Sequence, residues 1–264
     1  MKKNILLLFV SLVSVSLFAQ KGFHVGVSGA FTGNFIYTQN NYGTLAPFKE
    51  QYVRVSEMDY RFTYGGNGGF VVGYNFKKSW GLQAEVRYAT AGQKYEDNFI
   101  GPATIPQGTF GSSYERVNVK REVKLAYVQI PIMAKYISKF GNKAKLFVCL
   151  GPQFGFRTAA SEQVKIANIT YLPDSITFTS SQKFKTFDMG LALQIGAEVY
   201  ATDYLFFDIG LSGYAGILDL NGNVLKTLGW FSANDVEYQQ SRNANVGIMV
   251  GIHYLFIKRN TEGF

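Results

Sequence analysis

Leu125-Ala126-Tyr127-Val128-Gln129-Ile130-Pro131-Ile132-Met133-Ala134-Lys135-Tyr136 alternates strictly. Ala126, Val128, Ile130, Ile132, Ala134 and Tyr136 form one face, and Tyr127, Gln129, Pro131, Met133 and Lys135 the other. Period two with one apolar face marks a strand that separates two environments. A lysine on the inner face of a small soluble sandwich is costly to bury. A lysine that faces a polar lumen is not. The stretch therefore predicts one stave of a transmembrane β-barrel, apolar outside and polar within.

Composition agrees with a strand-built chain. The 264 residues include 28 Gly, 17 Tyr and 23 Phe, a mixture rich in turns and rings. Charged residues make up only 17%, below the usual quarter. A mean hydropathy of +0.01 excludes a helical membrane bundle but suits a barrel, whose alternation averages away.

The chain opens like a secretory signal peptide. Met1-Lys2-Lys3-Asn4 is a basic start and Ile5 to Phe18 an apolar run, with cleavage expected after Ala19 or Gln20. Leu17 is large for its place before that site. The apolar run is shorter than the ~20 residues that a spanning helix needs. Residues 1–20 are thus expected to be a signal peptide and 21–264 one barrel domain. Loss of Lys2 and Lys3 takes the net charge from +8 to +6. Export excludes nucleic acid as the partner, despite a sequence pI near 9.3. Cys149, the single cysteine, can form no internal disulfide. It lies in opposite phase to Val148 and Leu150, as an inward filler would.

Eight alternating segments follow: Gly22 to Tyr37, Gly68 to Phe76, Ser79 to Gln93, Lys120 to Tyr136, Lys143 to Thr158, Lys183 to Tyr200, Tyr204 to Leu218 and Arg242 to Ile257. Their connections run long, short, long, short, long, short, long. Lys77-Lys78, Lys139 to Asn142 and Ala201-Thr202-Asp203 are the short ones. That order fits an all-β, eight-stranded antiparallel up-and-down transmembrane β-barrel with long extracellular loops and short periplasmic turns. An even, closed sheet leaves no free edge in lipid. Trp80, Tyr88, Tyr136, Tyr200, Tyr204, Tyr254 and Phe256 fall near strand ends, where interfacial girdles belong.

Four stretches together resemble the PorT-like outer-membrane β-barrel family of Bacteroidota: Leu125-x-Tyr127-x-x-Ile130-Pro131, Gly151-Pro152-Gln153-Phe154-Gly155, Phe187-Asp188-Met189-Gly190 and Gly251-Ile252-His253-Tyr254-Leu255-Phe256. The resemblance covers roughly Gly22 to Lys258. It implies an eight-stranded outer-membrane barrel. The founding member is associated with type IX secretion and surface export, and no catalytic motif carries over. Gln129 stands where the family often places a glutamate, so the resemblance assigns no essential charge there. Gly251 with Tyr254 and Phe256 also resembles the terminal signal read by the barrel-assembly machinery, although Ile257 to Phe264 follow it.

Phase places His24, Glu85, Arg87, Gln129, Lys135, Arg157, Asp188, Gln194, Glu198, Asp208 and His253 inside. Charges in so narrow a barrel must pair. A salt-bridged network of Glu85, Arg87, Lys135, Arg157, Asp188, Glu198 and Asp208 is expected, with Glu85, Glu198 and Asp208 as candidate partners of Lys135. An ion path is the competing reading. His24 and His253 are expected at the closure seam near Glu198 and Asp208. Two histidines and a carboxylate can bind zinc, but polar filling is the preferred reading and no cofactor is expected. Arg116, Lys120, Arg121 and Lys124 form a basic cluster that could meet lipopolysaccharide phosphates. Gly65-Gly66-Asn67-Gly68-Gly69 lacks the following helix of a phosphate loop.

The resulting expectation is a non-enzymatic outer-membrane barrel with a structural or interaction role, assisting secretion or envelope maintenance. Its partners would be outer-membrane lipid, lipopolysaccharide, the assembly machinery and envelope proteins. A narrow small-solute channel and a lipid A-modifying enzyme are the alternatives. The enzyme would need an activated nucleophile near the outer leaflet, and neither histidine lies there.

Overall fold

A computed structural model describes residues 22–37, 53–54, 59–77, 79–102, 114–139, 144–166, 169–171, 180–222 and 240–256. Eight long strands carry the fold: β1 Phe23–Tyr37, β4 Thr63–Asn75, β5 Trp80–Pro102, β6 Tyr114–Lys139, β7 Ala144–Ile166, β9 Phe187–Tyr200, β10 Leu205–Gly216 and β11 Arg242–Leu255. Three short strands, β2 Val53–Arg54, β3 Asp59–Arg61 and β8 Ile169–Tyr171, hydrogen-bond to the upper parts of β5 and β7. The order β5-β4-β1-β11-β10-β9-β7-β6 closes through the β5–β6 pairing. All eight long neighbours are antiparallel. Among the described residues no helix is long and apolar enough to cross a membrane.

The opening stretch lies where its alternation put it. Tyr127, Gln129, Pro131, Met133 and Lys135 are buried inside, while Ile132, Ala134 and Tyr136 are exposed outside. The same parity holds on β11, where Val246, Ile248, Val250, Ile252 and Tyr254 are all exposed. An apolar exterior this extensive is stable only in lipid. Cys149 is an inward filler, packed with Met133, Ile137, Phe147, Ala192 and Met249.

Several boundaries differ from the sequence-based expectation. The second stave begins at Thr63 rather than Gly68 and contains all of Gly65 to Gly69. The sixth begins at Phe187, because Ser180–Lys183 forms one helical turn, α1. β5, β6 and β7 run to 23, 26 and 23 residues, so a sheet continues beyond the barrel on the long-connection side. On β6 its outward positions are polar rather than apolar, as at Lys120, Glu122 and Lys124.

A bulge marks the start of this extension. Ala126 opposes Ala159 and Tyr127 opposes Arg157, which leaves Thr158 without an opposite residue. One extra residue reverses the phase of everything beyond it. Before the bulge the odd positions of β7 face in; after it Glu162 is buried while Ser161 and Lys165 are exposed.

At the short-turn end, Lys77 N donates to Trp80 O at 3.1 Å, and Ala201 and Thr202 both donate to Leu205 O. Residues 140–143, which include most of the second short turn, lie outside the described set, as do 1–20 and 257–264. Trp80 and Tyr136 meet edge to face at 5.1 Å, and Phe23, Tyr204, Tyr254 and Phe256 continue that aromatic belt. Tyr200 corrects the girdle expectation. It shares the inward parity of Glu198, donates its hydroxyl to Glu198 Oε2 at 2.6 Å and packs its ring on Phe206.

Candidate functional site

The lumen is filled by polar side chains in layers. Near the short turns, Lys135 Nζ lies 2.6 Å from Glu198 Oε1, with both side chains fully buried. The rings of Phe147 and Phe206 flank the ammonium at 5.3 and 5.6 Å. These contacts offset the desolvation of the pair. Glu198 and Asp208 are direct cross-strand neighbours. Asp208 Oδ2 turns to His253 Nε2 at 2.9 Å. Of the three acids expected for Lys135, the structure thus selects Glu198.

Glu85 belongs to the next layer up. Gln83 Nε2 and Gln194 Nε2 donate to its Oε1 at 2.9 and 2.8 Å, and Arg87 Nη1 stands 3.4 Å from its Oε2. Arg87 also donates to Gln129 Oε1 and Gln153 Oε1 at 3.3 and 2.5 Å. Lys135 Nζ donates to Gln83 Oε1 at 3.2 Å, which joins the two layers. Four glutamines thus span the lumen between the charges, because a neutral amide can both donate and accept. Gln129 serves here as an acceptor for Arg87. Gln83 and Gln153 take the inward phase that alternation gives them on their strands.

Above this belt Asp188 accepts from Asn243 Nδ2 at 3.0 Å, and the same amide lies 3.1 Å from Tyr127 Oη. Arg157, expected in the charge network, reaches backbone carbonyls. Its Nε donates to Lys185 O and its Nη2 to Phe184 O, both at 3.2 Å, so it anchors the segment that leads into β9.

A cap closes the long-connection end. α1 and residues 219–222 meet at a bridge between Phe184 and Asn221. Phe184 and Leu220 pack on Ile36, Tyr95, Val123, Leu125 and Tyr127. Beside this cluster, buried Glu162 faces Arg121 and accepts from Lys183 Nζ at 2.7 Å. Asp219 Oδ1 accepts from the backbone N–H groups of Asn221 and Ser241, both at 3.1 Å.

Arg121 corrects the surface-cluster expectation. Adjacent residues on a strand point to opposite faces. Lys120 and Lys124 are exposed outside, whereas the Arg121 side chain is 1% exposed and lies inside. The Arg116 side chain lies outside the described residues. His24 and His253 do meet at the β1–β11 seam, with ring centroids 5.6 Å apart. His24 packs edge-on against Phe206, and the His253 ring stacks on Phe206 at 4.6 Å. Among the described residues no three potential ligands converge on a metal position. Gly251 faces inward, while Tyr254 and Phe256 face out.

Solved structures similar to this chain include neisserial surface protein A at 14% identity, covering 89% of this chain and 98% of that one with a TM-score of 0.39. OprG of Pseudomonas aeruginosa aligns at 10% identity over 89% of this chain and 97% of its own, TM-score 0.38. Ail, the attachment invasion locus protein of Yersinia pestis, aligns at 9% identity over 88% and 99%, TM-score 0.33. No curated protein sequence matches the chain. The family model described as "Outer membrane protein beta-barrel domain" matches residues 18–222, well over half of the sequence. A closed barrel with an apolar exterior and a match of this extent agree: the chain belongs to the outer membrane protein beta-barrel domain family and is an outer-membrane protein.

Proposed function

We propose that this protein is a closed, non-enzymatic barrel with a structural or interaction role, acting through the face it presents outside the cell. The filled lumen is the observation that carries the reading. Salt-bridged charges and glutamine amides occupy successive levels of the interior, and an apolar cap with its own ion cluster lies above them. An eight-stranded barrel has little interior to spare once side chains fill it. Charges locked in mutual pairs do not offer a solute a path.

The four stretches that resemble PorT-like proteins extend this reading to assistance in protein secretion or envelope maintenance. The cell-surface end of the barrel, where β5 to β7 project, is then the surface that meets envelope partners. Planar-bilayer recording on purified protein tests closure: a silent bilayer is expected, and steady single-channel steps would overturn it. Lipid A mass spectra of a deletion strain should match the parent; a missing modified species would restore the enzyme alternative. Affinity isolation of the tagged barrel from its own envelope should yield secretion or envelope components in defined stoichiometry.

A further inference from the structure

The lipid-facing surface of β5, β6 and β7 does not end in neutral side chains. Tyr88, Val128, Phe156 and Phe187 form one outward row across neighbouring strands, at the upper rim of the apolar band. Above that row the next strongly exposed outward residue on β6 is Lys124, and on β5 it is Lys94. On β7 the bulge at Thr158 resets the phase, so that Lys165 also points outward. Tyr136, in the lower aromatic belt, and Lys124 are twelve residues apart on one strand. At ~3.3 Å per residue and a tilt near ~40°, that spacing is ~30 Å along the membrane normal, just beyond the ~25 Å apolar band. Lys124 thus stands at the depth of the outer-leaflet headgroups.

Among the described residues the acids on this face do not balance its cations. Lys94 Nζ and Lys124 Nζ both approach Glu122, each at 3.5 Å. Arg61 and Lys120 both approach Glu96, at 3.0 and 3.4 Å. One carboxylate therefore serves two cations in each case, and Asp59 adds a further acid beside Arg61. Lys120 and Lys165 are direct cross-strand neighbours, an arrangement that like charges disfavour unless an anion lies between them. The Lys94, Lys120 and Lys124 side chains are 48%, 60% and 65% exposed, so their ammonium groups are open to a ligand. Gly92, opposite Lys124, adds no side chain to cover it.

We propose that Lys94, Lys120, Lys124 and Lys165 form a docking collar for the phosphate groups of an outer-leaflet phosphoglycolipid. Charge complementarity and continuity with the lipid-facing band select this occupant. A lipid whose acyl chains lie against Tyr88, Val128 and Phe156 carries its phosphates up to the lysines. A soluble anion gains only the charge contacts. The collar replaces the four-residue cluster expected from the sequence, because Arg121 is inside and Lys94 and Lys165 are outside.

The test uses full-length protein in neutral detergent, with bisphosphorylated lipid A and its dephosphorylated counterpart as probes in native mass spectrometry. Wild type should prefer the phosphorylated probe by about tenfold or more. K94Q/K120Q/K124Q/K165Q should lose that preference, and the corresponding Arg quadruple variant should retain it. K77Q, which alters an exposed lysine at the opposite end, should change nothing. K120Q/K124Q should show a partial loss and serves if the quadruple Gln variant folds poorly. Equal binding of the two probes, an undiminished preference in the Gln variants, or an equal loss in K77Q would each overturn the proposal.

Discussion

Lys135 Nζ and Glu198 Oε1 are 2.6 Å apart, and neither side chain has any contact with solvent. β6 and β9 deliver them across β7, which separates the two strands in the sheet. Removing one member leaves the other as an uncompensated buried charge. Lys135→Met should therefore cost about 3–5 kcal/mol of unfolding free energy. Lys135→Met with Glu198→Leu should recover most of that loss, since a buried pair replaced by apolar groups is often neutral. Urea unfolding of the barrel in lipid vesicles, followed by tryptophan fluorescence, measures both. Surface assembly should persist in the double variant.

Glu162 holds the cap by facing both Arg121 and Lys183. Glu162→Gln leaves two cations at a neutral amide and should weaken the cap by a comparable ~3–5 kcal/mol. The loss should be local. Amide exchange should accelerate in residues 180–184 and 219–222, while the lower halves of β6 and β9 keep their protection. A uniform loss of protection would mean that the cap and the barrel unfold as one unit.

Thr158 separates what the sequence made legible from what it did not. Parity predicted which side of the wall each residue takes, because a stave between lipid and lumen tolerates no slip. Alternation alone therefore puts Lys135, Glu198, Asp208 and both histidines inside, where all five are buried. Parity also ends where the membrane ends. Beyond Thr158 the bulge turns Glu162 inward, which alternation along β7 does not foresee, whereas Arg121 keeps the inward parity of Lys135 on β6 and joined the surface cluster only through its charged neighbours in sequence. β2, β3 and β8 are too short for a periodic signal, and the polar upper parts of β5 to β7 resemble loop in composition. The partners inside the lumen depend on side-chain reach across strands. Spacing along one strand could not choose Glu198 over Asp208 for Lys135.

Gly73 lies against the His24 ring, and a methyl group added there would collide with the imidazole. His24 is itself fixed between Phe206 and His253 and has no room to retreat. Gly73→Ala should destabilise the barrel by about 1–3 kcal/mol through overpacking. Gly73→Ala with His24→Ala should be more stable than Gly73→Ala alone, because the space of the ring becomes available. Paired urea titrations give the coupling, and strict additivity would show that the two positions do not touch.

Tyr254 and Phe256 stand outside the barrel at the closing strand, 5.6 Å apart ring to ring, and Phe256 also meets Phe23 across the seam at 5.3 Å. Each ring contact contributes about 0.5–1.5 kcal/mol, so Tyr254→Ala with Phe256→Ala should lower barrel stability only modestly. If these rings are also the signal read during assembly, the effect in cells should be far larger than that. The double variant should refold in detergent with a near-normal heat-modifiable gel shift, yet accumulate several-fold less in the outer membrane and leave unfolded chains in the periplasm. Substituting Tyr136 and Trp80, which meet at 5.1 Å in the same belt on β5 and β6, supplies the control. A matched fall in outer-membrane level from that pair would assign the defect to the girdle and remove the signal reading for the terminal strand.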